Sequence, residues 1–470
     1  MKNKRFLKDF LMVLSSNFLG LLLSVAMNLL IPILFAEDLS SYGYIQLYLL
    51  YAGYYYLFTL GACNGIYLKE GGHNFASLDK GLYSAQFIVM TAWQVLLGIL
   101  LGLGVVFFCN DANKQVVLFF AAIGIVILSV REMLSVIFQA TSKMKEYSIV
   151  TILSKLMSVL TILLAFVFGI KYYPALLCGF VFGESMVLLY ALIASRKLIF
   201  SKPTGFKIAI KEVGRNIASG YTILVSGLTA MLITGFAKLC VENHWGITTF
   251  SKLSFTISLA NLFIVFANAA SVVLYPRLRN IGAEQCNSSY KKVNKLIVSL
   301  LFLGIGFCYP AKLLLQSFLP EYRESLVYIS ILLPMCVFIG KTTMATQTYM
   351  KALRLEKQLM ISNLVSFAVS AALVFVAVYI LNDITLTVFS ILIGQILRAV
   401  FCEIFLSRTI RISVVQNTLI ECLITACFVV THWIIGGWMG SAIYMAAVLA
   451  YLAFVFITTR MHKGKVEDGE

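Results

Sequence analysis

Apolar runs of about 20 residues or more recur from one end of this chain to the other, each long enough to cross the roughly 30 Å hydrocarbon core of a bilayer as a helix. Fourteen such runs are expected to be spans, near residues 10–35, 41–68, 81–108, 115–140, 147–170, 174–195, 216–241, 246–275, 293–318, 325–349, 358–381, 385–406, 415–434 and 440–459. Little chain is left for a soluble domain. Composition agrees, since 60% of the 470 residues are hydrophobic and only 12% are charged, whereas soluble domains are roughly half apolar and a quarter charged. The first run follows Lys2, Lys4, Arg5 and Lys8 but is too long for a signal peptide, so it reads as a retained helix. The expected fold class is an all-α polytopic membrane protein.

The net charge of +16 is explained by its distribution. With the N-terminus on the cytoplasmic side, alternate loops collect Lys69 and Lys80, Lys143 and Lys145, Arg196 through Arg215, Arg277 through Lys295, Lys351 through Lys357, Arg408 and Arg411, and the tail lysines. The opposite loops hold mainly Glu37, Asp38, Asp111, Glu242, Glu321, Glu324 and Asp383. This positive-inside pattern puts both termini in the cytoplasm and makes nucleic acid an unneeded partner. Ten cysteines lie scattered without a CxxC pair, and four histidines share no ligand spacing, so no metal or other cofactor is expected.

The chain resembles itself. "SSYGYIQLYLLYAGYYYLFTLGACNGIYLK" (40–69) aligns without gaps on "TTFSKLSFTISLANLFIVFANAASVVLYPR" (248–277), a shift of 208, and a shift of 210 sets Lys341 on Arg131 and Glu356 on Glu146. Spans 1–6 and 7–12 therefore read as duplicated halves of the same orientation, as in transporters that rock two bundles about a central site. The expected domains are an N-terminal lobe (1–195), a basic, partly amphipathic cytoplasmic linker (196–215) resting on anionic lipid headgroups, a C-terminal lobe (216–413), and spans 13 and 14 with the tail (414–470).

Charges deep in spans carry the functional reading. Arg131, Lys341 and Arg398 each lie roughly 20 Å from the outer end of their span, and Glu184 about 15 Å from its own. Each would cost about 2.5–3.5 kcal/mol in lipid, so they imply a wet or paired interior. Arg131 and Glu132 cannot pair with each other, because helical neighbours point about 100° apart. Counting Lys155 as well, the cations exceed Glu132 and Glu184. The candidate cationic cavity thus comprises Arg131, Lys341, Arg398 and Lys155, with Lys238 and Lys252 nearer span ends. Arg131, Ser135, Phe138, Gln139 and Ser142 share one side of span 4. Polar or aromatic wall candidates are Asn17 and Asn28 in span 1, Tyr51 and Tyr55 in span 2, Gln139, and Asn261 and Asn268 in span 8. Glu132 and Glu184 are candidates for ion coupling. A net-cationic, hydroxyl-lined chamber suits an anionic, polyhydroxylated cargo, because the arginine fork matches phosphate oxygens.

The run "FAKLCVENHWGITTFSKLSFTISLANLF" with "VVLYPRLRN", and the earlier "LGACNGIYLKEGG", resemble the polysaccharide repeat-unit (Wzx-type, O-antigen or capsule) flippases of the multidrug/oligosaccharidyl-lipid/polysaccharide (MOP) exporter superfamily. The resemblance implies a V-shaped fold of two six-helix lobes plus two C-terminal helices in the bacterial cytoplasmic (inner) membrane. It implies transfer of undecaprenyl-pyrophosphate-linked oligosaccharide from the cytoplasmic to the outer leaflet by alternating access, with Arg131, Lys341 and Arg398 in a cationic cavity and spans 13 and 14 lining a groove for the lipid tail. Membrane lipids, a polysaccharide polymerase and chain-length machinery are the implied partners. Many relatives carry an acidic residue beside the basic one in span 7; here Ala237 precedes Lys238.

Other readings are weaker on sequence. "IGKTT" (339–343) lacks the first glycine of a phosphate-binding loop, which would fall at Met335, and lies within a span. A multidrug exporter of the same architecture favours an acidic cavity, a peptidoglycan-precursor flippase differs mainly in headgroup, and an enzyme joining lipid-linked sugars would carry a long extracytoplasmic loop or domain, whereas the longest loops here are cytoplasmic and basic. The chain is not expected to be an enzyme.

Overall fold

A computed structural model describes residues 2–141, 143–279, 283–411, 413 and 415–467, with side chains described for a narrower set that leaves out Asn17 and Asn268. Those two candidates lie outside the described side chains. The elements are α1 (Lys2–Leu34), α2 (Leu39–Gly53), α3 (Ala62–Glu70), α4 (Lys80–Phe108), α5 (Ala112–Ala140), α6 (Met144–Phe168), α7 (Tyr173–Ile199), α8 (Phe206–Arg279), α9 (Ala283–Ile305), α10 (Cys308–Phe318), α11 (Ile329–Leu332), α12 (Met335–Lys341), α13 (Gln347–Ala352), α14 (Glu356–Phe375), α15 (Ile384–Ile410), α16 (Val415–Val429) and α17 (Gly437–Glu467). The described residues contain no strand. This is a multi-pass membrane protein: eight helices are long and apolar enough to cross a bilayer, or ten with two bent pairs.

All fourteen expected spans fall on helical backbone, but several are not single straight rods. Spans 7 and 8 run together as α8, broken only at Gly246, whose φ of 80° needs a glycine. Spans 9 and 10 bend by 43° and 42°. The helical part of the basic linker is continuous with span 7, since α8 starts at Phe206. Span 2 is interrupted: α2 stops at Gly53, a tight 3-10 turn covers Tyr55–Thr59, and α3 restarts after left-handed Leu60 and Gly61.

Local chemistry sets the helix ends. Asp38, Asp79, Asp111 and Asp383 cap α2, α4, α5 and α15, each accepting from backbone N–H groups of the first turn. A cap of this type contributes about 1 kcal/mol. Three of the aspartates that make one set of loops acidic are therefore helix starts as well as charges.

The chain forms two compact units, Met1–Met231 and Leu232–Glu470. In the first, Leu134, Ile137 and Phe138 of α5 pack with Ile66 of α3, Val150 of α6 and Val187 and Ala191 of α7. Here α3 meets α8 backbone to backbone. A Cβ on Gly65 would lie 2.0 Å from the Asn216 carbonyl oxygen, and one on Gly220 2.1 Å from that of Gly61. Small residues allow this approach. In the second unit, Tyr290 and Ile297 of α9 pack with Met344, Tyr349, Leu359, Cys402 and Leu406.

Candidate functional site

The break in span 2 frees backbone carbonyls that a membrane cannot hydrate, so other groups must satisfy them. Ser129 on α5 donates to the Tyr55 carbonyl (3.0 Å), Gln94 and Trp93 on α4 donate to that of Phe58 (2.8 and 3.3 Å), and Thr59 donates to that of Tyr56 (2.7 Å). The turn is thereby fixed against α4 and α5. Its first residue, Tyr55, reaches the Glu132 carboxylate through its hydroxyl at 3.2 Å.

Beside this turn lies a cavity of about 380 Å³ within the first unit, walled by Met27 of α1 and by α2, the Tyr55 turn, α5, α6 and α7. It collects Arg131, Glu132, Ser135, Gln139, Lys155, Glu184 and Tyr55, all singled out from the sequence, and adds Tyr48, Tyr147, Thr151, Ser154 and Ser158. Arg131, Ser135 and Gln139 follow one another at helical spacing on the α5 wall. Discontinuous helices next to a polar cavity are a recurrent way to build transport sites.

Arg131 donates through Nη1 to Glu184 Oε2, and Ser154 donates to Glu184 Oε1 at 2.6 Å. The Arg131 Nε is buried and has no hydrogen-bond partner among the described residues. Lys155 has no carboxylate within 4.0 Å among them. Two cations and two carboxylates share the cavity, so its formal charge is zero with all four ionised. The sequence expectation of a net-cationic chamber counted Lys341 and Arg398, which belong to the other unit.

No protein-family model and no curated protein matches the chain. Solved structures do. Lipid II flippase MurJ, in an inward closed conformation, is similar over 96% of this chain and 100% of its own, at 13% identity and a TM-score of 0.63. An inward-facing multidrug resistance MATE family transporter of the MOP superfamily matches over 85% of this chain and 96% of its own, at 14% identity and 0.58. A MOP superfamily transporter from Pyrococcus furiosus, described by a reversed polarity of its binding pocket, matches over 86% and 96%, at 14% and 0.51. The chain has the MOP fold.

The remaining candidates sit elsewhere in this MOP fold. Lys341 is 1% exposed and enclosed with two carboxylates: its ammonium donates to Glu403 Oε2 at 2.7 Å and to Glu421 Oε2. It lines no described cavity with Arg131. Arg398 is buried too, but its partners are amides, Asn363 Oδ1 at 3.1 Å and Gln395 Oε1 at 3.4 Å. Lys252 pairs with Glu324 beside a cavity of about 290 Å³ that includes Trp245 and Tyr328. Lys238 is half-buried, with no carboxylate within 4.0 Å among the described residues. Asn28 and Tyr51 are half-buried and Asn261 is exposed; none of them lines the first-unit cavity. Phe138, placed by spacing on the polar side of α5, is fully buried against Phe75.

Sequence reasoning singled out neither Glu421 nor Glu403. Glu403 stands near a span end, within apparent reach of water, yet is 2% exposed. Glu421 lies in span 13, outside the repeat, so no alignment of the halves pointed to it. The halves do share a motif: within each unit a mid-span cation of span 4 or 10 bonds a glutamate of span 6 or 12, as Arg131–Glu184 and Lys341–Glu403.

Proposed function

We propose that the chain is a flippase for undecaprenyl-pyrophosphate-linked oligosaccharide repeat units, moving them from the cytoplasmic to the outer leaflet by alternating access. The observation that carries this reading is the first-unit cavity, where the Nε of Arg131 and the ammonium of Lys155, the one without a hydrogen-bond partner and the other without a carboxylate within 4.0 Å among the described residues, stand among hydroxyls and tyrosine rings. A pyrophosphate needs such donors, and charge-assisted bonds to it are the strong ones. Sugar hydroxyls are suited to Gln139, Ser135, Thr151 and Tyr55. Because the cavity's charges balance, the incoming anion competes with Glu184 for Arg131. Protonation of Glu132 or Glu184 favours entry, and this is how an ion gradient would couple to transport.

A peptidoglycan-precursor flippase stands equally beside this reading, because its cargo carries the same polyprenyl pyrophosphate and the likeness to MurJ spans nearly the whole chain. A multidrug exporter is a third reading; the MATE likeness supports the fold it would use. Polymerase and chain-length partners would follow from the first reading alone.

Binding to purified protein separates the three. Undecaprenyl-pyrophosphate oligosaccharide is expected to bind wild type and to bind Arg131→Ala weakly, with lipid II as the comparison cargo. Preference for lipid II selects the second reading. Binding of organic cations, with no response to either pyrophosphate, selects the third.

A further inference from the structure

The second unit holds a cluster the transport reading does not use. Lys341 ends α12, Glu403 comes from α15 and Glu421 from α16, and all three side chains are at most 3% exposed. Glu403 is saturated with donors: Lys341 and Thr418 on Oε2 at 2.7 and 3.0 Å, Tyr290 and Asn294 on Oε1 at 2.8 and 3.5 Å. Glu421 takes its ion pair, among the described residues, from Lys341 alone. Two carboxylates thus share one ammonium in a site closed to water. An unbalanced buried charge is costly, and the group neutralises instead.

Among the described residues, no other group around the triad supplies a second cation. Tyr290 on α9, Cys402 on α15, Cys422 on α16 and Tyr451 on α17 stand within its electrostatic reach, and phenols and thiols are neutral at physiological pH. Arg398, five residues before Glu403, is turned to Asn363 and Gln395. Two further features mark the place as built for an occupant. The Asn294 Oδ1, on a side chain 4% exposed, has no partner among the described residues although its own amide nitrogen faces Glu403. The turn after Lys341, Thr342–Thr346, is a π-helix, and its Thr346 hydroxyl lies 3.2 Å from that of Tyr290. Single π turns concentrate at functional sites.

We infer that Lys341, Glu403 and Glu421 form a proton-binding site that holds one shared proton and seats α16 against α12 and α15. With the proton bound, the triad is neutral and α16 is held. Loss of the proton leaves one excess negative charge, which is relieved when Glu421 moves towards water. If the transport reading is right, this ties span 13 to the proton gradient; the site itself rests only on the geometry of the second unit.

The test is infrared spectroscopy of the full chain in nanodiscs, from about pH 5 to about pH 9, reading the carbonyl stretch of protonated carboxyl groups. The expected result is one such band near neutrality that disappears in both Glu421→Gln and Glu403→Gln, since either amide leaves a balanced Lys–Glu pair. In Glu132→Gln that band should persist, which separates the triad from the first-unit cavity. Hydrogen exchange across Val415–Val429, corrected for its intrinsic pH dependence, should quicken as the band is lost in wild type and stay flat in Glu421→Gln. Wild-type and Glu421→Gln spectra that superimpose throughout would overturn the proton site, and exchange that does not follow the band would overturn the seating. The amide bands of each variant check that it is folded. No cargo enters the experiment, so its result is independent of whether the protein moves lipid-linked saccharides.

Discussion

Arg131 on α5 is bonded by Glu184 on α7, and the same glutamate accepts from Ser154 on α6, so one carboxylate ties three helices around the first-unit cavity. Among the described residues the guanidinium Nε has no hydrogen-bond partner. Arg131 is thus a structural cation, and in the proposed transport it is also the donor offered to an anionic cargo.

Replacing Arg131 by Ala should weaken binding of the pyrophosphate cargo by roughly ten- to a hundred-fold, as expected for the loss of a charge-assisted bond of about 1.5–3 kcal/mol. Arg131→Lys should fall between the two, because it keeps the charge and loses the fork. Titration of purified protein with cargo measures this. Equal affinities for wild type and Arg131→Ala would remove Arg131 from the binding site.

Tyr55→Phe deletes the hydroxyl that donates to Glu132 at 3.2 Å. Glu132 is half-buried, and leaving its carboxylate short of a donor costs at most about 1–3 kcal/mol. A lower thermal midpoint is expected for Tyr55→Phe, and a smaller loss when Glu132 is already Gln, a coupling that a double-mutant cycle reads directly.

Glycine substitutions test the α3–α8 contact. Gly65→Ala must displace backbone, because its Cβ would sit 2.0 Å from the Asn216 carbonyl oxygen. A loss of about 3 kcal/mol or more is expected, at or beyond the usual overpacking range. Gly102→Ala in α4 meets nothing within 4 Å and should be neutral or stabilising by about 1 kcal/mol. Thermal unfolding of the two variants in nanodiscs should rank them in that order.

Two loop carboxylates predict a small pH dependence. Glu37 bonds Lys171 at 2.6 Å and Glu324 bonds Lys252, and each partner holds its carboxyl below the usual range. A lowered carboxylate pKa stabilises the fold above its ordinary value, about 4.3, and that stabilisation is lost as pH falls through the lowered one. Both glutamates are exposed, so the effect is slight. The double variant Glu37→Gln, Glu324→Gln should lose part of the acid dependence of the thermal midpoint and match wild type at low pH.

Hydropathy made the spans legible, because a membrane-crossing helix is specified along the chain by its own residues. The interruption of span 2 was not: Tyr54 to Gly61 is as apolar as its flanks, and the groups that satisfy its free carbonyls, Ser129 and Gln94, come from other helices. Depth along a helix likewise identified Arg131, Glu132, Lys155 and Glu184 as buried charges, and the fold brings all four to one cavity. Depth says nothing of rotation. Lys341 lies as deep as Arg131, yet it turns into the second unit towards Glu421, a residue that only tertiary packing places beside it.

The central claim is that this protein moves lipid-linked saccharides between leaflets. Its most direct test is to deplete the protein from its host, identify lipid-linked saccharides by mass spectrometry, and locate them with an impermeant glycosidase or lectin. The account predicts complete units that accumulate on the cytoplasmic face, protected until the membrane is opened. Units that are incomplete, or complete and already outside, would contradict it and point to an enzyme that builds or joins them.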